Sequence, residues 1–151
     1  MVTYSKHSCV AFLVVVTVSN NVSEAVKVRH LQQSSDVTNS QLGDYRSEML
    51  ARINKERAAA GLSPLCFNQK LQYASQSHSD DMAQNAFMAH VGSDGSSVAQ
   101  RITDVGFAWN KVAENVAAGQ ESVQSVIDAW MLSPKHRENI MGLWKWKHGI
   151  V

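Results

Sequence analysis

Residues that favour the first or last position of a helix recur along this chain and divide it into short segments. Asn, Ser and Pro are common at helix starts because of the free backbone N–H groups there, and Gly is common just after helix ends. The starts fall at Asn68, Ser97, Ser122 and Ser133–Pro134, and the ends at Gly61 and Gly106. Apolar residues recur at helical spacing between them. The sequence therefore predicts several short helices with little sheet, an α+β layout.

The predicted helices each present an apolar face. The first spans Leu42 to Ala60, the second runs from an Asn68 cap to about Ala86, and a short third helix follows Ser97. In the helix that follows Ser122, the inward residues are Val123, Val126, Ile127 and Trp130. Ser133 is predicted to cap a last helical turn with Pro134 at its first position.

Two stretches have the character of strands. The segment VAENVAAG around Glu114 fits either a strand or an extended loop. The run from Leu143 to Lys147 alternates apolar and charged residues, which is typical of a half-buried strand. It leads into Gly149, Ile150 and Val151, where the sequence stops, so we expect a chain that is incomplete at its C-terminus.

The first 25 residues have the order of a secretory signal peptide. A cationic patch at Lys6 and His7 precedes an apolar run from Cys9 to Val18, which is shorter than the roughly 20 residues that span a bilayer. We expect cleavage after Ala25, and the alternative is a buried helix that stays attached. Residues 26–41 are polar and are predicted to form a disordered leader before a domain at 42–151.

Charge and cysteine content narrow the possible functions. The chain has 14 Lys and Arg against 13 Asp and Glu, so nothing in its charge indicates a nucleic-acid partner. Removal of the signal peptide would leave Cys66 as the sole cysteine. In a secreted protein such a residue indicates a buried free thiol, an intermolecular bridge, or a partner lost from the missing end.

Several histidines and acids are candidates for chemistry. His78 shares a helix face with Leu71 and Met82, so we expect a core or rim histidine there. His90, Glu114 and His136 each lie at a break between predicted elements. Such positions can meet in a cleft, where two imidazoles and a carboxylate bind a divalent ion or share protons. The residues alone equally allow three unrelated polar side chains.

Ordered motifs in the second half of the chain carry a family resemblance. FMAHVGSDGSS, AENVAAG and AWMLSPKHRENI occur in the order found in the CAP superfamily, which groups cysteine-rich secretory proteins, antigen 5 and pathogenesis-related class 1 proteins. The chain resembles the short, cysteine-poor microbial branch over about residues 42–150. The resemblance implies an α-β-α sandwich with a small antiparallel sheet, and an extracellular location.

The same resemblance implies a site. The cleft of the family carries two histidines and two acids, and His90, Glu114 and His136 match three of these four positions. The fourth position, an acid in the animal and plant branches, falls on Ser133. Family members have been associated with zinc or magnesium at this cleft, and separately with sterols or other lipids. No common catalytic activity covers the family.

The leading functional hypothesis is a secreted, non-enzymatic binding protein for sterols, other lipids or host surface components. A second is a divalent-metal-dependent hydrolase in which Glu114 is the general base and the metal activates water. A third is an inactive, truncated product. By the resemblance, about a hairpin is missing after the final strand, and its loss would expose a sheet edge that favours self-association.

Overall fold

A computed structural model describes residues 8–10, 34–143 and 148–150, with side chains over 45–143. The elements in chain order are β1 (Ser8–Val10), α1 (Ser34–Ala59), β2 (Leu65–Phe67), α2 (Gln69–Gln84), α3 (Val98–Asp104), β3 (Lys111–Ala113), α4 (Val123–Leu132), α5 (Pro134–Met141) and β4 (His148–Ile150). Helices dominate and the strands are short, which confirms the predicted α+β class. Within the described residues, no helix has the length and apolar character needed to cross a membrane.

The predicted helix starts are confirmed at three positions. The Asn68 side chain accepts hydrogen bonds from the backbone N–H groups of Lys70 and Leu71, at 3.0 and 3.3 Å. The Ser97 and Ser122 hydroxyls accept in the same way at the starts of α3 and α4. These local bonds satisfy N–H groups that have no partner inside the helix, so short-range sequence is enough to fix each start.

Ser133 occupies the predicted cap position of α5, but its hydroxyl makes no capping hydrogen bond. α4 and α5 meet at this single residue. Its backbone N–H donates to the carbonyls of Ala129 and Trp130 at the end of α4, and its carbonyl accepts from the Arg137 N–H. Pro134 then lies at the start of α5, where its missing N–H costs nothing.

Helix α1 begins at Ser34, earlier than the predicted start at Leu42. The polar segment predicted as a leader, 26–41, is therefore helical from Ser34 onward. Once a helix is nucleated, each added residue gains a backbone hydrogen bond, so polar residues can extend it without an apolar face of their own. Residues 11–33 lie outside the described part of the chain, and with them most of the predicted signal peptide.

The ladders between described strands are parallel, which corrects the expected antiparallel sheet. β1 pairs with β2, and β3 pairs with β4, with Lys111 opposite His148. Parallel strands need a long crossover connection, and helices supply it here: α1 separates β1 from β2, while α4 and α5 separate β3 from β4. The alternating run predicted as a strand falls largely on residues 144–147, which lie outside the described residues.

Cys66 is disulfide-bonded rather than a free thiol. The only other cysteine of the sequence, Cys9, lies opposite it in the β1–β2 register. A signal peptide cleaved after Ala25 would take β1 and Cys9 away. The disulfide-bonded form and the cleaved form are therefore two different states of the chain.

The helices fall into two groups that each have their own core. The larger core lies between α1, α4 and α5 and consists of Met49, Ile53, Leu65, Ala117, Val123, Val126, Ile127, Trp130 and Ile140. It includes all four residues predicted to face inward on α4. A smaller core of Leu71, Ala74 and Ile102 joins α2 to α3. His78 is buried on α2, as its helix face predicted.

A buried arginine joins the ends of two helices in the larger core. Arg57, in the last turn of α1, is only 2% exposed. Its guanidinium donates to the carbonyls of Ser63 at 2.9 Å, Ile140 at 2.7 Å and Gly142 at 2.9 Å. Two of these carbonyls lie at the C-terminal end of α5, where the helix dipole favours a positive charge. Burial lowers the pKa of Arg57, and the three carbonyls compensate for the lost water.

Replacing Arg57 should therefore destabilise the fold strongly. We expect Arg57→Ala to lower the free energy of unfolding by about 3 kcal/mol, because it leaves carbonyl groups unpaired and opens a cavity in the core. Lys55→Ala, an exposed change on the same helix, should shift stability by no more than about 0.5 kcal/mol. Urea unfolding followed by circular dichroism measures both. Equal stability of the two variants would contradict the role given to Arg57.

Candidate functional site

The predicted site residues come from three separate parts of the chain. His90 lies in the loop between α2 and α3, Glu114 directly follows β3, and His136 is in the first turn of α5. The chain turns sharply after α2, where Ala86 adopts a left-handed conformation with φ of 52° and the Phe87 N–H donates to the Met82 carbonyl. This turn leads the loop that carries His90 away from the end of α2.

His90 and Glu114 are in direct contact. The Nδ1 atom of His90 lies 2.8 Å from Oε2 of Glu114. The Glu114 side chain is 1% exposed, whereas that of His90 is 56% exposed. A carboxylate oxygen accepts, so Nδ1 donates, and in the neutral ring Nε2 is left as an acceptor. A buried acid thus fixes the orientation of an accessible imidazole.

Arg101 is the second partner of the buried carboxylate. Its Nη2 lies 2.7 Å from Oε1 of Glu114 and 3.2 Å from the His90 carbonyl oxygen, and its Nη1 donates to the Ser96 carbonyl at 2.9 Å. A buried charge is costly unless it is paired and hydrogen-bonded, and Arg101 supplies both. It also ties the loop that carries His90 to the segment that carries Glu114.

Sequence reasoning missed Arg101, although a signal was available. Val98, Ile102 and Val105 define the apolar face of α3, and Arg101 falls on the same face at helical spacing. A charged residue on an inward helix face needs a buried partner of opposite charge. The pattern could therefore have indicated a buried acid near α3, but not that the acid is Glu114.

Two asparagines connect Glu114 to the helix of His136. The Asn115 Nδ2 group donates to the His136 carbonyl at 3.1 Å, and Asn115 is fully buried. The Asn139 Nδ2 group donates to the Glu114 carbonyl at 3.3 Å and to the Asn115 side-chain oxygen at 2.8 Å. These bonds hold α5 beside the segment that follows β3. Neither asparagine was predicted as part of the site.

His136 completes the predicted set from a half-buried position. Its ring lies 6.3 Å from that of Trp130, measured between centroids. Burial lowers the pKa of His136, and the nearby charge of His90 lowers it further. His136 is therefore held toward its neutral form, in which one ring nitrogen donates a hydrogen bond and the other accepts one.

The described residues do not fit the expected divalent-metal site. Among residues 45–143, no three His, Cys, Asp or Glu side chains are placed to share an ion. Both oxygens of Glu114 are engaged, one by His90 and one by Arg101, and Ser133 supplies no carboxylate at the fourth family position. No catalytic step through zinc or magnesium follows from this arrangement.

Exposed apolar side chains adjoin the histidine in the chain. Met88 and Val91, on either side of His90, are 58% and 54% exposed. Single exposed apolar residues are common on protein surfaces, but here two of them lie within two residues of a histidine whose imidazole is held by Glu114. The surface around His90 thus combines a directed hydrogen-bonding group with apolar area.

Most of this chain is similar in sequence to known proteins. The model of the cysteine-rich secretory protein family, CAP, matches residues 50–142. The uncharacterized protein YkwD of Bacillus subtilis is 27% identical over 122 residues, which cover 81% of this chain and 48% of that protein. The uncharacterized membrane protein YlbC of the same organism is 24% identical over 94 residues, which cover 62% of this chain and 27% of YlbC. This chain thus spans about half of YkwD and about a quarter of YlbC.

A solved structure with a similar fold is that of an outer surface protein of Borrelia burgdorferi. The two superpose with a TM-score of 0.54 over 80% of each chain, at 18% sequence identity. At that identity the likeness shows a shared fold.

The proximity of the two imidazoles can be tested by titration. We expect NMR titration to give His136 a pKa below the ordinary value near 6.5. His90→Gln should raise this pKa, because a positive charge near His136 is removed. Lys55→Gln removes a positive charge from the exposed face of α1 and should leave it unchanged. An unchanged pKa of His136 in His90→Gln would contradict the proximity of the two rings.

The lowered pKa of His136 also affects how the stability of the fold depends on pH. Because the pKa of His136 is lower in the folded chain, the unfolded chain binds more protons below about pH 6.5. The contribution of His136 to stability should therefore be lost as pH falls from about 6.5 through the folded pKa. Melting temperatures of the full chain and of His136→Gln, measured across this range, should show a shallower acid dependence for the variant.

Proposed function

Because the chain belongs to the cysteine-rich secretory protein (CAP) family, we propose that it is a secreted, non-enzymatic binding protein for a sterol or another lipid. One observation carries the proposal: the exposed imidazole of His90 is oriented by a buried carboxylate and is flanked by the exposed Met88 and Val91. A polar group beside apolar area suits a ligand that has one polar head and an apolar body.

The polar head would bind at His90. Glu114 accepts the Nδ1–H hydrogen bond, so Nε2 presents a lone pair to the surface. A ligand hydroxyl can donate to this atom, and the fixed orientation of the ring lowers the cost of ordering it. The Nη groups of Arg101 donate to Glu114 and to the carbonyls of His90 and Ser96, so in this proposal Arg101 holds the imidazole in place rather than contacting the ligand.

The apolar body would cover Met88 and Val91. Burial of apolar surface contributes about 25 cal/mol per Å² removed from water, so the two side chains add to the affinity in proportion to the area covered. A host surface protein with an apolar patch and a hydroxyl could use the same features. We take a lipid as the ligand because its head group would need one directed atom, Nε2 of His90, whereas protein interfaces usually carry about ten hydrogen bonds.

Binding is favoured over catalysis by the surroundings of His90. Its imidazole is held by a carboxylate, as in a general base, but acyl transfer also needs a nucleophile within hydrogen-bond reach. Among residues 45–143, the His90 ring is hydrogen-bonded to Glu114, and the His90 backbone carbonyl to Arg101. Neither partner is a serine or cysteine nucleophile. The metal-dependent alternative lacks a fitting set of ligands in the same part of the chain.

The proposal predicts saturable lipid binding that depends on His90. Radiolabelled cholesterol and phosphatidylcholine would be titrated against the full chain in detergent below its critical micelle concentration. We expect saturable binding of one of them, and about tenfold weaker binding for His90→Ala, because a hydrogen bond from the head group is lost. Absence of saturable binding of either lipid would contradict the proposal.

Matched variants separate the apolar contact from general surface effects. Met88→Ser should weaken binding, whereas Leu143→Ser, the same kind of change at another exposed apolar residue, should not. Binding that survives His90→Ala and Met88→Ser unchanged would place the ligand elsewhere on the molecule. Capture of a host protein without any lipid would assign the same surface to a protein partner.

Export can be tested together with the state of Cys66. We expect a secreting host to release a chain that starts near Val26, as the signal-like order of residues 1–25 predicts. Such a chain keeps Cys66 and loses Cys9, so thiol titration of the unfolded protein should find about one free thiol per chain, or a disulfide-linked dimer. N-terminal sequencing that instead finds Met1, with no free thiol, would contradict cleavage.

A further inference from the structure

A second site candidate lies apart from the His90 surface, between α2, α3 and the loop that joins them. It is a cavity of about 360 Å³, within the range typical of small-molecule pockets. Three carboxylates line it, those of Asp81, Asp94 and Asp104, and Tyr73 lies at its exposed side. Sequence reasoning did not predict this cavity, since its acids are spread over two helices and a loop.

A buried histidine faces this cavity with an unsatisfied nitrogen. His78 is 1% exposed, and its Nε2 lies 2.9 Å from the Ala89 carbonyl oxygen. A carbonyl only accepts, so Nε2 carries a proton, and in the neutral ring Nδ1 is an acceptor. Nδ1 has no hydrogen-bond partner among the described residues and lies 3.9 Å from Oδ2 of Asp81. Buried polar atoms normally have partners, so this unpaired acceptor points to a ligand that donates.

Oxygen atoms of the loop between α2 and α3 lie near Asp81. A Cβ atom added at Gly92 would lie 2.8 Å from Oδ1 of Asp94, 2.8 Å from the Ser96 hydroxyl and 3.3 Å from Oδ2 of Asp81. A side chain at position 92 would therefore displace these oxygens. The negative charges of Asp81 and Asp94 repel each other, and a bound donor or cation would offset this repulsion.

The cavity is negatively charged at neutral pH. Hydrogen bonds from the Ser93 hydroxyl and backbone N–H lower the pKa of Asp81, and those from the Ser96 backbone and hydroxyl lower the pKa of Asp94. Arg101 also lines the cavity, but its guanidinium is paired with Glu114. The acids therefore exceed the positive charge available to them.

We propose that this cavity binds a small organic cation through a primary ammonium group. An ammonium has three N–H donors and no acceptor, which suits a lining that includes three carboxylates and an unpaired imidazole nitrogen. The 3.9 Å gap between Nδ1 of His78 and Oδ2 of Asp81 lets one nitrogen donate to both. A metal ion fits less well, because the described residues offer no group of three metal-ligating side chains in suitable positions. Tyr73 can cover the carbon chain of the ligand.

This site does not depend on lipid binding at His90. Arg101 lies between the two sites. Its guanidinium lines the cavity and also donates to the His90 carbonyl. Failure of one proposal therefore leaves the other standing.

Calorimetric titration of the full chain tests the proposal. The probe is 1,4-diaminobutane, with 1,4-butanediol as a neutral match of equal length and calcium chloride as the metal alternative. We expect saturable heat from the diamine and none from the diol. Equal binding of the diol, binding of calcium without the diamine, or no heat from any of the three would overturn the proposal.

Variants locate the binding. Asp94→Asn keeps an oxygen for the Ser96 N–H, and Asp104→Asn changes an exposed acid, so both should fold normally. We expect each to weaken diamine binding about tenfold, because a charge-assisted hydrogen bond is lost. His78→Gln keeps a donor for the Ala89 carbonyl but lacks the Nδ1 acceptor, and it should weaken binding as well.

The matched control is Asp128→Asn, which removes one negative charge from α4, on the side of the larger core. Its affinity for the diamine should equal that of the unmodified chain. An equal loss in Asp128→Asn and Asp94→Asn would show a general attraction of cations to the protein and would overturn the proposal. Melting temperatures of the four variants identify any variant that fails to fold. If one of the other cavity variants fails, diamine binding by Asp104→Asn decides the result.

Discussion

The burial of one carboxylate organises the part of the molecule that carries the candidate site. Glu114 is held almost entirely out of water, and a charge in that position must be paired and hydrogen-bonded on both oxygens. His90 and Arg101 meet this requirement from a loop and from α3. Because Asn139 binds the Glu114 carbonyl and Asn115 binds that of His136, the start of α5 is fixed to the same segment. Loss of the carboxylate would remove the bonds to His90 and Arg101, whereas the connection to α5 uses the backbone carbonyl of Glu114.

The other buried charge is stabilised differently. Within the described part of the chain, the hydrogen-bond partners of Arg57 are three carbonyls, and the residue joins the end of α1 to the end of α5. Since Asn115 bonds to α5 near its start and Arg57 bonds to it at its end, both ends of this short helix are fixed by side chains from distant parts of the chain. A helix of eight residues would be unstable alone, so these bonds determine where His136 lies.

The two proposed binding sites share the loop between α2 and α3. His78 bonds to the Ala89 carbonyl, directly before His90, while Arg101 bonds to the carbonyls of His90 and Ser96. One histidine and one arginine therefore fix the backbone of this loop by hydrogen bonds. The two faces of the loop present different chemical groups. One face offers an imidazole beside apolar side chains, and the other offers carboxylates.

The sequence alone determined the features that depend on neighbouring residues. Asn68, Ser97 and Ser122 fix helix starts through bonds that span three residues or fewer, and the spacing of apolar residues placed Trp130 and His78 inside. Ordered motifs identified the family and picked out His90 and Glu114, which the structure places in contact. Only the tertiary structure decided the partners of these residues. Arg101, Asn115 and Asn139 act across gaps of thirteen to twenty-five residues, and the parallel ladders and the acidic cavity join segments farther apart still. Such contacts depend on how helices pack, because a buried charge must find a partner in space and the local sequence does not specify which one.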